Sequence, residues 1–169
     1  MHGLYLGGIS IFLTVVYYLL DLSMFNWIFS IINGIISITL AVVFIVMAIK
    51  KYRLTYLEGR IKYLQCVLIG FIVLIVSGFL NSLFAYILYN LIDPGYMNKQ
   101  LEMFIEQMQS YNMSEEQLDK IIEQTKEGME AAGQLMKSLI YVPVFAAVLS
   151  LIISIFVRKK DNTFESNFR

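Results

Sequence analysis

The chain holds one histidine (His2), one cysteine (Cys66) and two prolines in 169 residues, and only 15% of it is charged, against about 25% in an ordinary soluble domain. Each shortage excludes chemistry. A single Cys and a single His allow no intramolecular disulfide, no Cys/His zinc site, no Cys–His nucleophilic pair and no histidine relay. Cys66, alone in an apolar run, reads as a small hydrophobe rather than a redox group. No phosphate-cradling Walker loop is present, since Gly7, Gly8, Gly70 and Gly78 lie within apolar runs instead of between a strand and a helix. The 13 basic and 13 acidic side chains cancel, which leaves no basic field for nucleic acid. The expectation is a protein that is not an enzyme and carries no cofactor and no metal.

What fills the chain instead is apolar: 58% of it is hydrophobic, with a mean hydropathy of +0.67. Four stretches, Leu4–Leu20, Trp27–Ile49, Leu64–Ile92 and Leu139–Val157, contain no Lys, Arg, Asp or Glu. At 1.5 Å of rise per residue, about 20 apolar residues cross a hydrocarbon core of about 30 Å, so each stretch predicts a membrane span. The first is the shortest; it lacks the basic n-region and the Ala-x-Ala site of a signal peptide, and is read as a true span. The whole chain, 1–169, is thus predicted to be one integral membrane domain with the lipid bilayer as its first partner.

Threading follows from the basic residues of the short connections. Lys50, Lys51, Arg53, Arg60 and Lys62 crowd the second connection, and Arg158, Lys159 and Lys160 open the tail 158–169. Both are predicted to be cytoplasmic, as are both termini. The third connection, 93–138, then lies outside with nine acidic residues against four lysines, a net of −5. Tyr17, Tyr18, Trp27, Tyr52, Tyr56, Tyr63, Tyr86, Tyr89 and Tyr141 cluster near span ends, where amphipathic rings favour the headgroup zone.

That third connection has a helical pattern. Asp93-Pro94-Gly95 marks the exit from the third span. Met97, Leu101, Phe104, Ile105 and Met108 then share one face of a helix over Tyr96–Ser110, and Ser114 with Glu115, Glu116 and Gln117 reads as the capped start of a second helix whose stripe is Leu118, Ile121, Ile122 and Met129. The fold class predicted is all-α: a four-transmembrane-helix bundle with an extracytoplasmic amphipathic helical hairpin, about 94–135, between spans 3 and 4. Leu101, Phe104, Ile105, Met108, Leu118, Ile121 and Ile122 form its apolar face. Three readings of that face stand side by side: a self-packed cap, a surface on headgroups or span ends, or a docking face for another membrane protein or a second copy of this chain.

Within the spans no side chain is ionisable other than Cys and Tyr, which weakens proton-coupled transport and voltage sensing. Asn33 and Asn81 stand out as a candidate polar seam, each needing a hydrogen-bond partner on another helix or on a substrate. Small residues offer packing positions at Gly3 with Gly7, Gly34 with Ser37, Gly70 with Ser77 and Gly78, and, most clearly, at Ala146, Ser150 and Ser154, spaced by four along the last span. The methionines of the third connection lack flanking His or Cys and Met-x-x-Met spacing, and its carboxylates at i, i+4 read as a solvated ridge, so neither is taken as a metal site.

The run Tyr89-Asn90-Leu91-Ile92-Asp93-Pro94-Gly95-Tyr96, the acidic helix after it, Met113-Ser114-Glu115-Glu116-Gln117 opening a second helix, and a last span ending in Arg158-Lys159-Lys160 resemble the bacterial membrane proteins grouped as domain of unknown function 4199. The resemblance covers nearly the whole chain. It implies four spans in the inner (cytoplasmic) membrane of a bacterium, a basic inner connection like that around Glu58-Gly59-Arg60-Ile61-Lys62 and an outer Asp-Pro segment. It implies no activity and supplies no catalytic or binding residue. The functional expectation is a non-enzymatic structural or accessory envelope component acting through the outer hairpin, with a small transporter or channel subunit using Asn33 and Asn81 as the alternative.

Overall fold

A computed structural model describes residues 1–23, 26–57, 61–109, 115–129 and 131–157. Among them are six α-helices and no strand: α1 (His2–Leu19), α2 (Trp27–Tyr56), α3 (Tyr63–Ile87), α4 (Tyr96–Gln109), α5 (Glu115–Met129) and α6 (Ala131–Val157), with a π-helical segment (Leu88–Ile92) extending α3. Four segments, His2–Leu19, Trp27–Tyr56, Tyr63–Ile92 and Lys137–Val157, are long and apolar enough to cross a membrane. The chain is therefore a multi-pass membrane protein. The turn 111–113, the cap at Ser114, the segment 58–60, the α5–α6 junction at Glu130 and the basic tail 158–169 fall outside the described residues.

The helices start and stop for local reasons. Asn26 caps α2, its Oδ1 accepting from the Ile28 and Phe29 N–H groups at 3.1 and 3.2 Å. Gln65, a polar residue in an apolar run, serves the start of α3, where its Oε1 accepts from the Lys62 N–H at 2.9 Å. Helix α1 closes with Asp21 N–H donating to the Tyr18 carbonyl and Leu22 N–H to the Tyr17 carbonyl. That reversal needs a left-handed residue, which is usually Gly; here Asp21 takes it at φ 54°. Helix α2 runs beyond Ile49 to Tyr56, because Lys50, Lys51 and Arg53 are good helix formers that continue the turn where lipid ends.

Helix α3 is central, packing against α1, α2 and α6. It runs parallel to α1, where a Cβ on Gly3 would meet Val73 and Val76 and one on Gly7 would meet Leu80 and Ser77. It runs antiparallel to α6, where a Cβ on Gly70 would stand 3.1 Å from Ser150 Cβ and one on Gly78 2.5 Å from Val142 Cγ1. Small residues thus set the helix spacing, as packing in lipid demands when the tails outside are as apolar as the core. Ala146, Ser150 and Ser154 of α6 are buried in this contact. Gly34 is different: a Cβ there would meet nothing within 4 Å, so the expected packing role with Ser37 fails because no neighbouring helix comes close to α2 at that point.

The bundle has a basic end, carrying Lys50, Lys51, Arg53 and Lys62, and an acidic end, carrying Asp21, Asp93 and α4. Toward the basic end Ala41, Ile45, Ala48 and Ile49 of α2 are buried against Cys66 of α3 and Ile153 of α6. Toward the acidic end Trp27, Ile28, Ile31, Ile32, Ile35 and Ile38 of α2 are exposed, a surface suited to lipid. Helix α6 carries Pro143 in its interior, which lacks the N–H that would bond the Leu139 carbonyl.

Candidate functional site

Four polar side chains within the spans are satisfied on their own helix. Thr14 Oγ1 donates to the Ser10 carbonyl at 3.0 Å, Thr39 Oγ1 to Ile35 at 2.7 Å, Asn90 Nδ2 to Tyr86 at 2.9 Å and Ser150 Oγ to Ala147 at 3.0 Å. Each is the ordinary way for a short polar side chain to sit in lipid. Asn81 and Ser154 do not follow it: Asn81 Oδ1 and Ser154 Oγ are buried and have no hydrogen-bond partner among the described residues. An unmatched buried polar atom costs about 1–3 kcal/mol, so these two mark places where packing leaves a polar group unpaired.

Asn81 lines a cavity of about 360 Å³ near the acidic end of the bundle, together with Ser10, Leu13, Thr14 and Tyr17 of α1, Phe29, Ser30, Asn33 and Ser37 of α2, and Tyr89 of the π-helical segment. The two asparagines singled out as a seam are therefore brought to one chamber. Eight of its ten lining side chains carry a hydroxyl or an amide, and none carries a formal charge. Helix phase explains the gathering: Ser10, Thr14 and Tyr17 recur at i, i+4, i+7 on α1, and Ser30, Asn33 and Ser37 at i, i+3, i+7 on α2. This polar periodicity was legible in the sequence and would have added Ser10, Thr14, Tyr17 and Ser30 to the seam.

An apolar groove of about 590 Å³ adjoins the chamber and shares Ser10 and Ser37 with it. Its other walls are Leu6 of α1, Ala41 of α2, Leu74, Ser77 and Gly78 of α3, and Tyr141, Val142, Val144, Phe145 and Val148 of α6. The groove opens because α2, tight against α3 and α6 from Ala41 onward, leaves them toward Trp27.

Aromatic rings surround the acidic end of the chamber. Tyr17 meets Phe29 edge to face at 4.9 Å, Tyr89 stacks on Tyr96 at 5.6 Å, and Tyr18 leans on Tyr96 at 5.1 Å. Polar links tie α4 to this cluster: Tyr18 Oη donates to Asp93 Oδ2 at 3.1 Å, Lys99 forms an ion pair with Asp21, and buried Gln100 reaches the Leu22 carbonyl at 3.4 Å. Tyr96 is buried, and desolvation, followed by the charges of Asp21, the Tyr18 phenol and Asp93, pushes its phenol above the usual tyrosine range.

The apolar stripe of α4 and α5 is partly covered. Leu101 is buried, Phe104, Ile105, Met108, Leu118, Ile121 and Ile122 are half-buried, and the two helices touch each other. Among the described residues no group of three His, Cys, Asp or Glu side chains is arranged to hold a metal ion.

A family model described as "Protein of unknown function (DUF4199)" matches residues 1–159. No curated protein and no solved structure matches the chain.

Proposed function

The chain belongs to the DUF4199 family of unknown function, and from that premise we propose that it is a non-enzymatic membrane protein that binds an uncharged, hydrogen-bonding group in the chamber between α1, α2 and α3. The observation that carries this reading is a cavity in which eight of the ten lining side chains, Asn33 and Asn81 among them, carry a hydroxyl or an amide and none carries a formal charge. A cavity of this size lies within the range of about 300–1,000 Å³ of small-molecule sites. The absence of formal charge in the lining selects against ions, because an unpaired charge in a low-dielectric site costs several kcal/mol.

The setting we propose is the cytoplasmic membrane of a bacterium, with the basic end and both termini inside. Helices α4 and α5 then form an extracytoplasmic hairpin over the chamber's outer rim, latched by Asp21–Lys99 and Tyr18–Asp93. A cysteine at Lys99 reacting with an impermeant thiol reagent from outside, and one at Lys51 reacting only after lysis, is the expected result. Partner docking through α4 and α5 has less support, since none of the described apolar side chains on their stripes is fully exposed.

Photo-crosslinking in native membranes tests the choice. A probe at Asn33 is expected to capture a small non-protein molecule, identified by mass spectrometry, while probes at Leu101, Ile105, Leu118 and Ile122 give only intramolecular products. A reproducible second protein from the α4 and α5 probes, with nothing from Asn33, overturns the binding reading in favour of an accessory subunit.

A further inference from the structure

Resting on the reading of the polar chamber as a binding site, we infer that its ligand is an amphiphile of the outer leaflet whose head is an uncharged hydroxyl-bearing group and whose chain lies in the adjoining apolar groove. The two cavities share Ser10 and Ser37 in their linings, and one molecule passing those two small side chains would place a polar end beside Asn33 and Asn81 and an apolar end along Leu74, Phe145 and Val148. A soluble polar solute would use the chamber and leave the groove to bulk lipid. A fatty acid anion or a phospholipid would bring formal charge to a lining that has none to pair with it. A head rich in hydroxyls can both donate to and accept from the serine hydroxyls and asparagine amides that line the chamber.

The test uses the purified full-length protein in detergent, with binding read by titration in native mass spectrometry against three probes: 1-monooleoylglycerol, oleate and glycerol. Saturable binding of monooleoylglycerol at least tenfold tighter than that of either other probe is the expected result. Asn81→Leu should weaken it about tenfold. Ser37→Phe adds bulk at a residue that lines both cavities and should block passage between chamber and groove, and because the position is exposed the thermal midpoint should stay unchanged. Equal binding of oleate, insensitive to both variants, means nonspecific lipid in the groove and overturns the inference. Glycerol binding as tightly as monooleoylglycerol overturns it too, yet leaves the chamber standing as a site for a polar group. No binding of any probe, with Asn33 probes capturing nothing in membranes, removes both readings together.

Discussion

One helix, α2, passes through two different environments. Between Ala41 and Ile49 it buries Ala41, Ile45, Ala48 and Ile49, whereas between Trp27 and Thr39 its large side chains are exposed except for Phe29. Aliphatic content does not distinguish the two halves, since Ile fills the first and Ile and Val the second, although Ser30, Asn33, Ser37 and Thr39 all fall in the first. The difference lies in what faces them: Ile45 drops into the space left by Gly70 on α3 and Ser150 on α6, while Gly34 faces nothing. In lipid there is no gain from removing apolar surface from water, so contact depends on shape, and helices close only where small residues let backbones approach. Where that fit ends, the gap is lined with hydroxyls and amides, and the packed half becomes the hinge side of an open half.

Paired substitutions should break this comparison. Gly70→Leu must force a side chain between Ser150 and Ile45, both wholly buried, and is expected to cost about 3 kcal/mol, at the upper end of overpacking penalties. Gly34→Leu projects into open space and should change stability by less than about 0.5 kcal/mol. Reversible unfolding in mixed micelles measures both, and equal losses would mean that the two halves are packed alike. A milder pair is Ile45→Ala against Ile35→Ala. Soluble cores lose about 2–5 kcal/mol for such a truncation. Here the water-to-core transfer part is absent and only packing is lost, so about 2 kcal/mol is expected for Ile45 and almost none for Ile35.

The four spans were readable because uninterrupted apolar runs admit few other structures, and the boundaries of α4 were readable from its stripe. The reach of α2 to Tyr56 was not, because charged residues end a hydropathy run without ending a helix. Nor was the π-helical segment Leu88–Ile92, whose sequence LYNLI carries no breaker; it changes the helical phase before Tyr89 reaches the chamber. Asn33 and Asn81 drew notice as isolated amides, but their meeting in one cavity depends on how α2 and α3 are rotated about their axes. That rotation is set by packing at Gly70 and Ile45, far along the chain from either asparagine. The Gly34 position shows the converse error: a small residue permits close approach but does not compel it.

The acidic end offers a smaller, pH-dependent test. Tyr96 stays neutral in the folded protein to a higher pH than in the unfolded chain, because it is buried among Asp21, Tyr18 and Asp93. Its contribution is fully present below the ordinary tyrosine pKa of about 10 and is lost as pH rises from there through the folded value. Stability should therefore fall with rising pH above about 10, and Tyr96→Phe should flatten that slope while leaving the plateau at lower pH little changed. An unaltered slope in Tyr96→Phe would assign the loss to other groups.

The smallest effect concerns how the open half is held. Where packing is sparse, α4 is fastened by polar links, and an exposed pair such as Asp21–Lys99 is worth only about 0.2–1 kcal/mol. Asp21 also sits at φ 54°, where a side chain costs about 1–2 kcal/mol that Gly escapes. Asp21→Ala loses the pair and keeps the strain; Asp21→Gly loses the pair and sheds the strain. The first should destabilise and the second should be near neutral. Because the two halves are held by different forces, hydrogen exchange in Asp21→Ala should quicken at Tyr96–Gln109 while the protection of Ala41–Ile49 is unchanged. Exchange rising in both segments together would mean that the bundle opens as one unit, and that the open half is continuous with the packed one.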